Sequence, residues 1–245
     1  IEKYFKVPHA RKDVVMGPGD DCALLTLPAD TMLAVSTDTL VSGVHFFPDM
    51  DPVDLGYKAL AVNLSDLAAM GAEPRWVSLA LTLPAVNEAW VAGFAEGFLE
   101  LAEYYNVALV GGDMTRGPLS ITVSVKGSVP TGRALMRSGA RVGDGIYVTG
   151  TLGDAALALS HLLGKRTLNE NQLAAVLPRL DHPHPRILAG QALRGLASSA
   201  LDLSDGLASD LSHILKASGV RAQIDLNLLP LSPVLQDAVP AMDAW

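Results

Sequence analysis

Pro52-Val-Asp-Leu-Gly-Tyr-Lys-Ala-Leu-Ala-Val-Asn-Leu-Ser-Asp-Leu-Ala-Ala-Met70, then Gly71, then Arg75-Trp-Val-Ser-Leu-Ala-Leu-Thr-Leu83, reads as a helix running into a strand. Apolar residues recur at Leu55, Ala59, Val62, Leu67 and Met70, a helical spacing. Pro52 suits a first turn and Gly71 a stop. Residues 75–83 alternate imperfectly, as a strand does. Working outward, residues 87–105 form a second amphipathic helix, and 107–110 a strand that runs into Gly111-Gly112-Asp113. Over 119–130, Ile121, Val123 and Val125 alternate with Thr122, Ser124 and Lys126, the pattern of a half-buried strand. Upstream, 22–27 and 32–40 read as strands around a Pro-Ala-Asp turn, a hairpin-like signal that places Cys22 in the core.

Gly and Arg are concentrated over 132–145, which marks a lobe boundary. The expected organisation is an N-terminal domain over 1–138 and a C-terminal α/β domain over 139–245. In the latter, strands are expected at 146–149, 201–203 and 221–226, and helices at 153–163, 185–197 and 206–218. The fold class is α/β (α+β) and two-lobed. The second lobe reads as unfinished at Trp245, and residues are also expected before Ile1.

Of the 245 residues 49% are hydrophobic and only 5% aromatic, so the core is built from Ala, Leu and Val. The longest uncharged apolar-rich stretch, 76–87, is broken by Pro84 and is too short to span a bilayer. No signal-type apolar core opens the chain, and the one cysteine cannot form an internal disulfide, so a cytoplasmic protein is expected. A net charge of −8 disfavours a nucleic-acid partner, since such binding relies on Lys and Arg. A polyanionic ligand would need bridging cations.

The acids fall where cations could be held. Asp20 and Asp21 precede a strand, Asp38 lies in Ser36-Thr37-Asp38-Thr39, and Asp66 is helical. Asp113 follows a strand, and Asp202 and Asp205 flank a strand-to-helix turn. Singly, each has an ordinary use as cap or turn residue, and Asp205 could cap the helix beginning near Gly206. Their number, and their repeated placement at element ends beside Gly, point to convergent hard oxygen donors for Mg²⁺. Three Gly-bearing turns, at 16–19, 111–113 and 149–153, could cradle phosphate. The P-loop and protein-kinase motifs are absent. Arg137 suits a phosphate; Arg133 suits a phosphate or a surface acid equally well. His45 follows a Gly among apolar residues, as a packing histidine does. Of Tyr104 and Tyr105, one packs while the other could lie against an adenine.

Six segments together resemble bacterial thiamine-monophosphate kinases, of the aminoimidazole-ribonucleotide-synthetase-like superfamily. They are Gly-Pro-Gly-Asp-Asp-Cys-Ala (17–23), Ser-Thr-Asp-Thr-Leu-Val (36–41), Lys-Ala-Leu-Ala-Val-Asn-Leu-Ser-Asp-Leu-Ala-Ala-Met-Gly-Ala (58–72), Gly-Gly-Asp-Met-Thr-Arg-Gly (111–117), Gly-Arg-Ala-Leu-Met-Arg-Ser-Gly-Ala (132–140) and Asp-Leu-Ser-Asp-Gly-Leu (202–207). The resemblance implies ATP-dependent conversion of thiamine monophosphate to thiamine diphosphate by direct in-line transfer, the final step of thiamine diphosphate biosynthesis. It also implies a homodimer whose N-terminal sheets join into a barrel. By the same resemblance, Asp21, Ser36, Thr37, Asp38, Asp66, Asp113, Asp202 and Asp205 would bind magnesium. Gly112, Asp113, Arg137, Ser204 and Tyr104 would contact ATP, and His45 would approach the substrate. No side chain need act as general base, because positioning and charge neutralisation carry such a transfer. The family's Gly-Gly-Glu-Asp-Tyr-Glu segment and its late aromatic residue, which contact thiamine, are not found within 1–245. Two rival readings are a sibling enzyme that activates an amide or selenide with ATP, and a noncatalytic cation-binding module. A selenide enzyme would carry a reactive Cys or selenocysteine near its N-terminus, and Cys22 is strand-like.

Overall fold

The computed structural model describes residues 2–5 and 11–238. The elements run α1 (Glu2–Phe5), β1 (Val14–Met16), β2 (Leu24–Leu25), β3 (Thr31–Val41), α2 (Pro52–Ala69), β4 (Glu73–Leu83), α3 (Glu88–Tyr104), β5 (Ala108–Arg116) and β6 (Ser120–Pro130). They continue as α4 (Asp154–Leu162), α5 (Glu170–Asp181), α6 (Ile187–Leu193), α7 (Leu207–Ser218), a 3₁₀ turn (Leu226–Leu228) and α8 (Pro233–Ala238).

The decisive helix forms as its spacing predicts. Asp51 caps it by accepting the Val53 N–H at 2.8 Å, and Pro52 opens it. Leu55, Leu60, Leu64 and Leu67 are buried against a four-stranded sheet of order β3-β6-β4-β5. Each such Leu contributes about 1.5–3 kcal/mol on burial. Only β4 and β5 pair in parallel; β3–β6 and β4–β6 are antiparallel. Outside the sheet, α3 lies across α2 with Gly56 against the Phe94 carbonyl and Gly97 against the Val53 carbonyl, so the two backbones touch.

Several expectations need correction. The segment 22–27 shrinks to the two-residue β2, which pairs with β1; β3 pairs instead with β6 over eleven positions, so the hairpin does not form. The eleven-residue β6 offers β3 a complete ladder that a two-residue strand cannot. Cys22 consequently sits in the loop before β2 and is exposed, not buried. The Gly111-Gly112-Asp113 turn is strand: β5 runs through it to Arg116. In the C-terminal part the helices form, but among the described residues no strand forms at 146–149, 201–203 or 221–226. A strand needs a hydrogen-bonded neighbour, and these segments have none; Tyr147 is 91% exposed. α5 was not expected, because Pro178 interrupts its pattern and only Val176 is buried. Its legible signal is a capping box: the Gln172 N–H donates to Asn169 Oδ1 at 2.9 Å and the Asn169 N–H to Gln172 Oε1 at 3.1 Å. Among the described residues no helix is long and apolar enough to cross a membrane.

The segment before β1 is tied down by Asp13. Arg11 grips its carboxylate with Nε at 2.9 Å and Nη2 at 2.5 Å, and Arg75 Nη1 of β4 donates at 2.8 Å. Arg11's hydrogen bonds, opposed by burial and reinforced by Arg75, hold the Asp13 pKa down to about 2, against an ordinary 3.8. A carboxylate with a depressed folded pKa adds stability above 3.8, and that stability is lost as pH falls through about 2. Asp13→Asn is therefore expected to cost about 1–3 kcal/mol at neutral pH in urea unfolding. The difference should shrink as both proteins are acidified through that window; a difference independent of pH would exclude the ion pair as its cause.

Candidate metal and phosphate site

The site begins on β3, an edge strand. Its register sets Ser36 beside Val125 and Val77, and Asp38 beside Val123 and Leu79. Those neighbours are buried under α2, so Ser36 and Asp38 are the polar members of otherwise apolar rows on the helix-covered face. α2 answers them with polar side chains of its own. Asn63, fully buried, accepts the Asp38 backbone N–H at 3.1 Å and donates Nδ2 to the Ala59 carbonyl at 2.9 Å. One turn on, Asp66 Oδ2 accepts from Ser36 Oγ at 2.5 Å.

Burial pushes the Asp66 carboxyl above its ordinary pKa, against the Ser36 hydrogen bond; Asp38 raises it further and Arg137 lowers it. Asp202, before α7, is likewise raised by burial and then by the charge of Asp66, while a Ser65 hydroxyl bond opposes the rise. Asp66 therefore feels the charges of Asp38 and Arg137, and Asp202 that of Asp66, so that four separate segments of the chain are linked through Asp66. Among the described residues no three His, Cys, Asp or Glu side chains are close enough to enclose a metal ion unaided. The donors nevertheless fit magnesium: crowded, partly desolvated carboxylates gain from a divalent cation between them, and a hard ion completes its shell with phosphate and water oxygens.

α7 braces both sides of this group. At its start, Asp210 accepts backbone N–H groups from Ser204, Asp205 and Gly206. At its end, Ser218 Oγ accepts the N–H groups of Gly139 and Ala140, both at 3.1 Å, and donates to the Arg137 carbonyl at 3.3 Å. One helix thus sets both the Asp202–Asp205 turn and the Arg137 segment.

The remaining expected residues lie elsewhere. Thr37 projects to the face opposite α2, where its hydroxyl donates to Ser124 Oγ at 2.9 Å. Asp113, opposite Ala80, shares that face, so strand alternation separates both from Ser36, Asp38 and Asp66. Gly112 has φ +153° and lies so close to Leu79 that a Cβ would fall 1.9 Å from its carbonyl oxygen. Asp21 is exposed in the β1–β2 loop, its N–H donating to Asp20 Oδ1 at 2.8 Å. Ser204 and Asp205 are exposed on the turn that Asp210 grips. Asp205 does not cap α7, whose N-cap Gly206 has no side-chain hydrogen bond. His45 Nδ1 accepts the Val41 N–H at 3.0 Å, and its side chain is exposed rather than packed. Tyr105 is the packed tyrosine: its hydroxyl donates to the Pro185 carbonyl at 3.0 Å, and burial pushes its pKa up to about 12. Tyr104 is 73% exposed, edge-on to the Tyr105 ring. Arg133 Nη2 donates to the Arg194 carbonyl at 3.4 Å.

Sequence reasoning did not single out Asn63, Ser65, Asp210 or Ser218. Asn63 and Ser65 do lie within the Asn-Leu-Ser-Asp run, three and one residues before Asp66, and such polar residues in an apolar helix face were a usable signal.

The AIR synthase related protein families match this chain twice: the N-terminal domain over residues 19–129 and the C-terminal domain over 141–245. The thiamine-monophosphate kinase of Escherichia coli K12 is 59% identical over 237 residues, covering 96% of this chain and 73% of its own. The chain belongs to the thiamine-monophosphate kinase family. Its fold agrees: the crystal structure of the family member from Stenotrophomonas maltophilia K279a superposes with a TM-score of 0.90 at 46% identity, over 96% of this chain and 76% of that one. AaThiL complexed with AMPPCP and TMP superposes at 0.81 and 33% identity, over 97% of this chain and 74% of that one. The α/β fold class and the family read from the six motifs are those found.

Proposed function

We propose that the chain transfers the γ-phosphoryl group of Mg-ATP to the phosphate of thiamine monophosphate, giving ADP and thiamine diphosphate. The observation that carries this reading is the meeting of Ser36, Asp38, Asp66, Asp202 and Arg137, from four separate motifs, at one junction of β3, α2 and the turn before α7. It is supported by the relative that holds the ATP analogue AMPPCP together with TMP.

A terminal phosphate oxygen of the acceptor attacks the γ-phosphorus in line, and the bond to the bridging oxygen of ADP breaks. That oxygen is already anionic, so no side chain has to remove a proton. Magnesium, when bound, would supply positive charge to offset that of the phosphates. Asp66 and Asp202 would hold it, with Asp38 beside them. Ser36 and Asn63 tie β3 to α2 and so fix Asp38 and Asp66, and Arg137 would serve a phosphate oxygen. Asp21, Thr37, Asp113 and Asp205 belong to the same reading as further metal ligands. Gly112, Ser204 and Tyr104 belong to it as ATP contacts, and His45 as a substrate contact.

The reading includes a cytoplasmic homodimer and a division of the chain at residues 138/139. The part of the sheet's other face that β1 and β2 leave open supports the dimer: Thr37, Thr39, Thr122 and Ser124 line it with hydroxyls, and the apolar Leu33 and Val35 are 48% and 57% exposed. The lengths of the two matching families support the division. Phosphorus NMR with Mg-ATP and thiamine monophosphate is the test. ADP and thiamine diphosphate should accumulate in equal amounts, and ADP without thiamine diphosphate would rule the acceptor out.

A further inference from the structure

Asp210 is an acid that the phosphoryl-transfer reading leaves without a role. It is 4% exposed, the least accessible aspartate near the site, and its carboxylate is turned to the backbone of the turn before α7. Its Oδ2 accepts the backbone N–H groups of Ser204 at 2.9 Å, Asp205 at 3.1 Å and Gly206 at 3.1 Å. A single carboxylate oxygen gathering three amides is a charge-assisted clamp, stronger than the neutral bonds of an ordinary cap.

Two consequences follow for the chemistry. The three amides are engaged internally, so this turn does not present them to a phosphate as free helix N-termini do; Ser204 can reach a nucleotide only through its hydroxyl. And because Asp210 satisfies the turn, Asp205 is released from capping, its carboxylate exposed, while Asp202 sits two residues before the clamped segment.

We propose that Asp210 is a positioning residue for phosphoryl transfer, fixing the 204–206 turn so that Asp202 and Asp205 present their carboxylates to the cation that Asp66 also binds. The inference rests on the magnesium reading above. Asp210 touches neither substrate nor metal; it acts through the backbone it holds, as outer partners of metal ligands do.

The test compares wild type, Asp210→Asn and Asp210→Ala as full chains, with Mn²⁺ as the probe, counted by electron paramagnetic resonance in the presence of AMPPCP. Loss of such a partner weakens metal affinity by about 10- to 100-fold, and Ala should lose more than the isosteric Asn, which still accepts hydrogen bonds. Amide hydrogen exchange at 204–206 should quicken in the same order. A folded Asp210→Asn protein with wild-type Mn²⁺ affinity overturns the inference even if its turnover is low, because a purely structural role would reduce the active fraction without moving the affinity. Should wild type itself bind no Mn²⁺, the magnesium reading falls and this inference with it.

Discussion

Asp66→Asn should lower thiamine diphosphate formation by about 100-fold or more, equivalent to about 2.7 kcal/mol of barrier. The same change should raise the unfolding temperature of the metal-free protein. Both effects come from one cause. Burial and the charge of Asp38 keep the Asp66 carboxyl above its ordinary pKa, so between the unfolded and folded values the native state holds a proton that the unfolded chain has released. In that window the metal-free fold loses stability as pH rises. A neutral amide of the same shape removes the crowding but cannot neutralise a cation, which is the opposition between stability and function expected where acids are gathered for metal binding. Steady-state rates and calorimetry in the presence of a chelator measure the two arms. Wild-type turnover in Asp66→Asn would remove Asp66 from the site.

Gly97→Ala is expected to destabilise the protein by about 3 kcal/mol or more, although helix propensity alone would favour Ala by about 1 kcal/mol. The Cβ would fall 1.9 Å from the Val53 carbonyl oxygen and 2.8 Å from its carbon, both backbone atoms of α2 that cannot swing aside. The helices must separate, and Phe94, Phe98 and Leu60, all fully buried, lose their packing. For a chain of this size the loss corresponds to an unfolding temperature lower by about 6–12 °C. Because α2 also carries Asn63 and Asp66, catalysis should fall with it. A temperature unchanged or higher would show that α2 and α3 do not meet through their backbones.

The long elements were legible because each carries its own period: α2, α3, β4 and β6 bury one face and show it locally. What could not be read was partnership. Nothing within residues 22–40 tells β3 to reject its neighbour and pair with β6, and that pairing is what sets Ser36 and Asp38 on the face that meets Asp66. The same limit explains the second lobe, where short apolar runs resemble strands but find no ladder. Asp66, Asp202 and Arg137 were legible as residues, and the resemblance gave them roles; that Asp66 feels the charge of Arg137 and Asp202 that of Asp66 could not be read before the chain had folded. Asp210 escaped notice since an acid early in a helix reads as a partner for the helix dipole; its actual partners, three amides up to six residues earlier, exist only once the turn has formed.

That β3 pairs, among the described residues, with β6 alone also has a cost in time. About 90 residues separate the end of β3 from the end of its sole neighbour in the sheet, and at roughly 5–20 residues per second a ribosome needs on the order of 5–20 s to make them. For that interval Met32, Leu33 and Val35 belong to a strand without its β6 partner, while the core helices α2 and α3 are themselves still being made. The stretch is therefore where a holdase would be expected to bind during synthesis, and where slowed translation between residues 41 and 130 would most increase aggregation.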